Sequence, residues 1–384
     1  MDTGKHSALS PQRPFDDKPG LADVRLRADE PHASTASQLG WRRSDESGIS
    51  FTGERTRQVA DTLLIAASFF GYAGEIKATL EQRGRKVIWV EDRPATDTKT
   101  KLLLRIHPSL IAGQTEAYFD SVIAKVRDQP ITEVLIIKGE AVSIETIQRL
   151  RRACPRARIT LYFWDSYRNM PPGSSDKVEH VDRAFSFDPV DVDRDKRLTF
   201  RPLFFLDRFS QLPALKQDID VLFLGTVHTD RYQVLKLLQA SLPSDIRFEM
   251  VLYYPSWKLF QVRRVVDPRM WGAKRDEFIF EPVSGEQVTN LLARTRIAVD
   301  IERSVQSGFT IRTIEMIGAS KKLITTNPRV QSADFYNANN MAVIDRERPR
   351  LDEQFLRRPY ESLPEPVLKK YALSGWVDEV VPPR

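Results

Sequence analysis

The chain has 384 residues, 58 Lys+Arg against 52 Asp+Glu for a net charge of +6, and a single cysteine. Two domains' worth of length excludes a small stapled scaffold, and Cys154 alone excludes an internal disulfide or a thiolate metal cluster, so a reducing, cytoplasmic setting is expected. The longest apolar run, from Thr62 to Gly74, falls short of the roughly 20 residues a membrane helix needs, and the N-terminus lacks the apolar core of a signal peptide.

Residues 1–56 hold 8 Lys+Arg and 9 Asp+Glu, so the other 328 residues carry the whole basic excess, 50 against 43. This first segment is rich in Ser, Asp, Pro and Gly without sustained periodicity, the composition of a disordered tail. Beyond it, Lys and Arg are interspersed with acids. That pattern argues against nucleic acid and favours phosphate-bearing small molecules or peripheral contact with an anionic membrane surface.

Structure begins near Val59. Thr62 to Ser68 reads as a strand buried on both faces, Gly74 to Arg83 as a helix closing at Gly84, and Lys86 to Val90 as the next strand, together one βαβ unit. Strands follow at Glu133 to Ile137, Ile159 to Phe163 and Ala184 to Phe187, with an amphipathic helix over Ser143 to Ala153. Polar residues or glycines end these strands: Ser68, Glu91, Lys138 with Gly139, Asp165 and Asp188. In an open α/β sheet, the ligand crevice lies at those ends.

A second series starts after Pro213. It has strands at Asp220 to Leu224, Phe248 to Leu252, Ile297 to Asp300 and Leu323 to Thr325, and helices at Arg231 to Ala240, Glu286 to Ala293 and Ile311 to Ala319. The expected fold is α/β, two Rossmann-like domains facing a cleft. The expected boundaries are 1–56 for the tail, 57–210 for the first domain and 211–384 for the second, with the extreme C-terminus packing back on the first.

The turn Phe69-Phe70-Gly71-Tyr72-Ala73-Gly74 is a dinucleotide fingerprint with phenylalanine in place of its first glycine, and Glu91 and Asp92 stand where a ribose-binding acid belongs. The bulky first position obstructs the tight turn. Close helix-on-strand packing explains Gly71 and Gly74 equally well, and Gly71 and Tyr72 can instead line an acceptor pocket. The D-x-D matches at Asp191, Asp193 and Asp218 read as solvated loop acids, and no two of the five histidines have metal-ligand spacing, so no metal site is expected.

The segment from Asp300 through Ser307, Gly308 and Phe309 to Glu315 runs from a strand through a polar loop into a helix whose first turn is Thr310 to Thr313. Free amides and the helix dipole make such a turn an anion site, and Arg312 with flanking hydroxyls suits a diphosphate. Glu315, one turn on, is placed to accept from ribose hydroxyls. The alternative is an ordinary helix with a surface arginine and a solvated glutamate.

Gly308 to Glu315, Lys321 to Asn327, Phe335-Tyr336-Asn337 and Asn339-Asn340 together resemble the donor-site region of bacterial GT-B glycosyltransferases of lipopolysaccharide and capsule biosynthesis. Ile137-Lys138-Gly139-Glu140, Tyr162 to Ser166, Phe185 to Asp188 and Arg201 to Phe204 extend the resemblance over Thr62 to Asp345. It implies a nucleotide-sugar donor on the C-terminal domain and a saccharide or lipid-linked acceptor on the N-terminal one. Glu315 would bind ribose, and Thr310, Arg312 and Thr313 would face the diphosphate, helped by Gly225, Thr226 and Arg231 across the cleft, with Gly308 also among the donor-binding residues. Lys138 joins the acceptor side. Many retaining members pair Glu315 with an acid eight positions earlier; Ser307 stands there, which leaves the stereochemistry open. Asp165 and Glu140 are the candidate bases for the acceptor hydroxyl, with Asp165 as a cap of the next segment the alternative. The nucleotide sugar is a substrate, and no cofactor is expected. The competing readings are a non-catalytic saccharide-binding protein and a dinucleotide-dependent oxidoreductase.

Overall fold

A computed structural model of the chain describes residues 59–68, 71–94, 112–303 and 307–383. The tail expected over 1–56, Phe69, Phe70, and Ser304 to Gln306 lie outside the described residues.

Short runs apolar at every position suit strands covered on both faces, which is what a parallel sheet provides. The first half runs β1 (Thr62–Ile65), α1 (Tyr72–Gln82), β2 (Val87–Val90), α2 (Ala112–Val126), β3 (Glu133–Ile137), α3 (Ile144–Ala153), β4 (Arg158–Phe163), β5 (Arg183–Ser186), α4 (Pro189–Arg194), β6 (Thr199–Phe200) and α5 (Asp207–Ser210). The second runs β7 (Ile219–Thr226), α6 (Arg231–Ser241), β8 (Phe248–Tyr253), α7 (Trp257–Val266), β9 (Phe278–Ile279), α8 (Gly285–Ala293), β10 (Thr295–Asp300), α9 (Ile311–Gly318), β11 (Lys322–Thr325) and β12 (Met341–Val343). The helices α10 (Glu353–Arg357), α11 (Glu365–Tyr371) and α12 (Leu373–Val380) close the chain.

Two six-stranded parallel sheets result, ordered β2-β1-β3-β4-β5-β6 and β12-β11-β10-β7-β8-β9. The expected α/β fold with two Rossmann-like halves is therefore observed. In each sheet the strand order reverses once, between β1 and β3 in the first and between β7 and β10 in the second, and those switch points open the crevices in which α/β proteins bind ligands.

The C-terminal helices return to the first half. Trp376 of α12 is wholly buried, with its ring 4.8 Å from Tyr162 and from Phe204. Arg83 pairs with Asp378 at 2.7 Å, and buried Arg201 pairs with Glu379 at 2.9 Å. At Phe205 the outgoing and returning chains meet: its amide donates to the Tyr371 carbonyl at 2.9 Å, and its carbonyl accepts from the Leu373 amide at 3.0 Å.

Two local expectations need correction. A Cβ on Gly71 or Gly74 would meet nothing within 4 Å, so close packing explains neither; Gly71 is required by its φ of 76° at the start of α1. Asp191 is not a solvated loop acid, since it is buried in α4 and accepts the Tyr167 amide at 2.7 Å. Asp218 does sit at the surface, paired with Arg294 at 2.7 Å.

Candidate functional site

On the first half, β3 ends in an unusual turn. Lys138 has φ 64° and Gly139 φ 61°, a left-handed pair in which only the glycine is at ease. The turn throws the Lys138 ammonium between two carboxylates, 2.7 Å from Asp165 and 3.5 Å from Glu140. Sequence reasoning nominated all three, and the fold brings them together at the ends of β3 and β4. Their exposure differs: the Asp165 side chain is 37% exposed, Lys138 13% and Glu140 1%. Glu140 lies behind Lys138, also bonded to Arg93 at 3.2 Å, and Arg93 grips Asp92 at 2.7 Å.

Below the turn, Lys177 donates to the Gly139 carbonyl at 2.8 Å, and burial brings its ammonium down to about 8 despite the nearby Glu140 and Asp92. Arg93, Lys138 and Lys177 thus face Asp92, Glu140 and Asp165, three cations against three anions. Arg93 and Lys177 were not anticipated, because nothing in the sequence distance between them and Gly139 signals contact. Asp165 is not the cap of the following turn; Ser166 starts that turn, and Asp165 faces Lys138.

On the second half, β10 ends in buried Asp300, which accepts from the hydroxyls of Thr310 and, at 2.8 Å, Thr313. Thr310 also caps α9 by accepting the Thr313 amide at 3.1 Å, leaving the first-turn amides of Ile311 and Arg312 without a helical acceptor. The two threonine hydroxyls are thus committed to Asp300 rather than turned outward. Gly225 and Thr226 end β7, which pairs directly with β10, so they belong to the same sheet as α9 and not to the far side of the cleft. Arg231 ties these loops together, donating to the Ile301 carbonyl at 2.6 Å and the Thr226 carbonyl at 2.8 Å. Beside it, burial and the charges of Arg231, Arg303 and Arg263 hold the His228 imidazole down at about 3, neutral at physiological pH.

The halves meet through the predicted site residues. The Tyr72 hydroxyl donates to Glu315 Oε1 at 2.9 Å, and Arg312 Nη1 lies 2.9 Å from Glu315 Oε2. Glu315 is therefore not solvated: burial raises its carboxyl above the usual range, Oε1 accepts from Tyr72, and Oε2 has the ion-pair contact with Arg312 but no hydrogen bond. Tyr72 is pushed up by its own burial and by the Glu315 charge, and its ring packs edge-on to Trp164 at 5.4 Å, one residue from Asp165.

A second bridge runs through buried Asp188, which accepts from Ser166 on the first half and from Ser307 on the second. A carboxylate at position 307 would confront Asp188 with like charge, which is the physical reason a serine fits there. Gly308 follows, and a Cβ on it would come 2.6 Å from the Phe187 ring and 2.9 Å from the Phe187 carbonyl. Gly308→Ala should cost about 1–3 kcal/mol through overpacking at this junction, read as a lower denaturant midpoint with unchanged m-value.

Against the dinucleotide reading, Asp92 is wholly buried against Arg93 and presents no carboxylate to ribose, while Glu91 accepts the Ser68 amide at 3.0 Å. Among the described residues, no group of three or more His, Cys, Asp or Glu could hold a metal ion, and no helix is long and apolar enough to cross a membrane.

No protein-family model and no curated protein matches the sequence. Solved structures do match in fold. They include OtsA in its apo form (TM-score 0.56, 10% identity, 84% of this chain and 99% of that one). A glycosyltransferase from Rickettsia africae matches with TM-score 0.54, 10% identity and coverage of 84% and 96%. HepE from Anabaena in complex with UDP and glucose matches with TM-score 0.52, 9% identity and coverage of 84% and 98%. At these identities the likeness establishes the GT-B-type fold and nothing finer.

Proposed function

We propose that this protein is a glycosyltransferase that moves a sugar from a nucleotide-sugar donor to a saccharide or lipid-linked acceptor in surface polysaccharide assembly. The observation that carries this reading is the convergence at two facing switch points. Arg312 and the first turn of α9 come from one half, Lys138 and Asp165 from the other, and the Tyr72–Glu315 hydrogen bond joins them. The fold shared with structures that include one holding UDP and glucose supports it.

In this reading the diphosphate sits over the N-terminus of α9, where Arg312 and the free amides offset its charge, so that the leaving group is stabilised by the protein's own cations without a metal. Glu315 takes the ribose hydroxyls once Tyr72 gives way. Asp165, the exposed carboxylate of its cluster, accepts the proton of the acceptor hydroxyl as that oxygen attacks the anomeric carbon. Lys138 fixes Asp165, and Glu140, Arg93 and Lys177 fix Lys138; Glu140 is a positioning residue. The reaction takes place at the cytoplasmic side, with the protein in peripheral contact with an anionic membrane that holds the acceptor.

Calorimetric titration with UDP, GDP and NADH, followed by donor hydrolysis, tests this reading. It expects a nucleoside diphosphate to bind and its sugar conjugate to be hydrolysed slowly. Binding of NADH with no response to any nucleoside diphosphate would overturn it, and donor binding without hydrolysis or transfer would favour a saccharide-binding protein instead.

A further inference from the structure

Outside the cleft, α7 is built inside out. Its sequence, Trp257-Lys258-Leu259-Phe260-Gln261-Val262-Arg263-Arg264-Val265-Val266, buries only Phe260. Trp257 is 46% exposed, Leu259 54%, Val262 59%, Val265 73% and Val266 69%. At about 100° per residue, Leu259, Val262 and Val266 form one stripe with Val265 beside it, on the side where a surface helix ordinarily carries polar residues. Trp271, 66% exposed, extends the patch, since its indole donates to the Val265 carbonyl at 3.3 Å. A contiguous apolar face of this kind on a water-soluble surface marks something that covers it.

The charges around the patch identify the cover. Lys258, Arg264, Lys274 and Arg275 are exposed on and just after this helix, where Asp276 is exposed as well, and Arg269 is exposed but paired with Asp267 at 3.6 Å. Arg275 stands over the Trp257 ring at 5.3 Å, holding a cation at the edge of the apolar face. Asp267 is withdrawn, half-buried and bonded to Arg263 at 3.1 Å. Tryptophans flanking aliphatic side chains, rimmed by cations, match a lipid interface: the aliphatics enter the acyl boundary, the indoles lie at headgroup depth, and the cations meet lipid phosphates.

We propose that α7 with Trp271 is the surface by which this protein docks on an anionic phospholipid bilayer. The proposal rests on the membrane-contact part of the functional reading and supplies its contact face. α7 follows the cleft end of β8, and Arg263 donates to the Thr229 carbonyl at 3.4 Å in the loop after β7. Docking through α7 therefore holds the donor-side rim of the cleft near the bilayer, where a lipid-linked acceptor resides.

Flotation of the full chain with vesicles of phosphatidylcholine, with and without phosphatidylglycerol, tests this. Binding is expected only when phosphatidylglycerol is present, with a blue shift of tryptophan emission and weakening as salt is added. The pair Val262→Asp, Val265→Asp should abolish binding with unchanged thermal unfolding, because both side chains are exposed. Lys258→Gln and Arg264→Gln should each weaken it about fivefold. Absence of wild-type binding, or undiminished binding by the aspartate pair, would overturn the proposal. So would a wild-type dimer in sedimentation that the pair dissolves, which would make a second copy the occupant. UDP titration on the same samples separates outcomes: retained UDP affinity with no vesicle binding sinks the docking surface and leaves the donor site standing.

Discussion

Asp165→Asn should lower sugar transfer about a thousandfold while leaving donor affinity nearly unchanged, since a positioned general base contributes roughly 10²–10⁴ in rate. Asparagine keeps the size of the side chain and an oxygen for Lys138 but cannot take a proton. Lys138→Met should reproduce most of the loss by another route: it removes the cation held 2.7 Å from Asp165 and leaves Asp165 unanchored. Glu140→Gln should act more mildly, because Glu140 touches Lys138 from behind at 3.5 Å and keeps its Arg93 contact through the amide oxygen. Pre-steady-state transfer with saturating donor separates these effects. Full activity in Asp165→Asn would place the base elsewhere.

Donor affinity should respond most to Arg312 and, with opposite signs, to the two partners of one hydrogen bond. Arg312→Ala should weaken UDP binding about tenfold to a hundredfold, the worth of roughly 1.5–3 kcal/mol for a charge-assisted contact, and should weaken uridine binding much less. Glu315→Ala should weaken both ligands, since the ribose loses its acceptor. Tyr72→Phe should tighten UDP binding a few-fold, because the Tyr72 hydroxyl donates to Glu315 Oε1 and so competes with ribose for it. The same change should cost about 1 kcal/mol of stability through the lost hydrogen bond. Calorimetry on the three variants checks the pattern, and Tyr72→Phe with weakened affinity would show that the tyrosine serves the ligand rather than blocking it.

Most of the fold was legible because parallel strands are written as short apolar runs bounded by polar residues or glycine, as at Thr62–Ile65, Glu133–Ile137 and Lys322–Thr325. β6 and β9, two residues each, are too short to carry a period, and α7 hid because its exposed face is apolar and gives no contrast. α2 carries a helical period at Phe119, Val122, Ile123 and Val126 and is legible from spacing alone. The site was legible as positions but not as bonds. Strand ends named Lys138, Asp165 and Asp188 as crevice residues, yet residue spacing cannot reveal that Tyr72 reaches Glu315 across 243 positions, or that Thr310 and Thr313 turn their hydroxyls to Asp300.

The meeting of outgoing and returning chain at Phe205 has a mechanical meaning. Two connections between halves would ordinarily permit both swivel and slide, depending on how far apart they lie. Here they are hydrogen-bonded to each other through the Phe205 amide and carbonyl, so they behave as a single pin. Translation of one half along the other would break that pairing, whereas rotation about it would not. The Tyr72–Glu315 and Ser307–Asp188 contacts also join the halves, so any such rotation has to part them, and Asp165 beyond β4 and Arg312 in the first turn of α9 then move with their own halves about one axis.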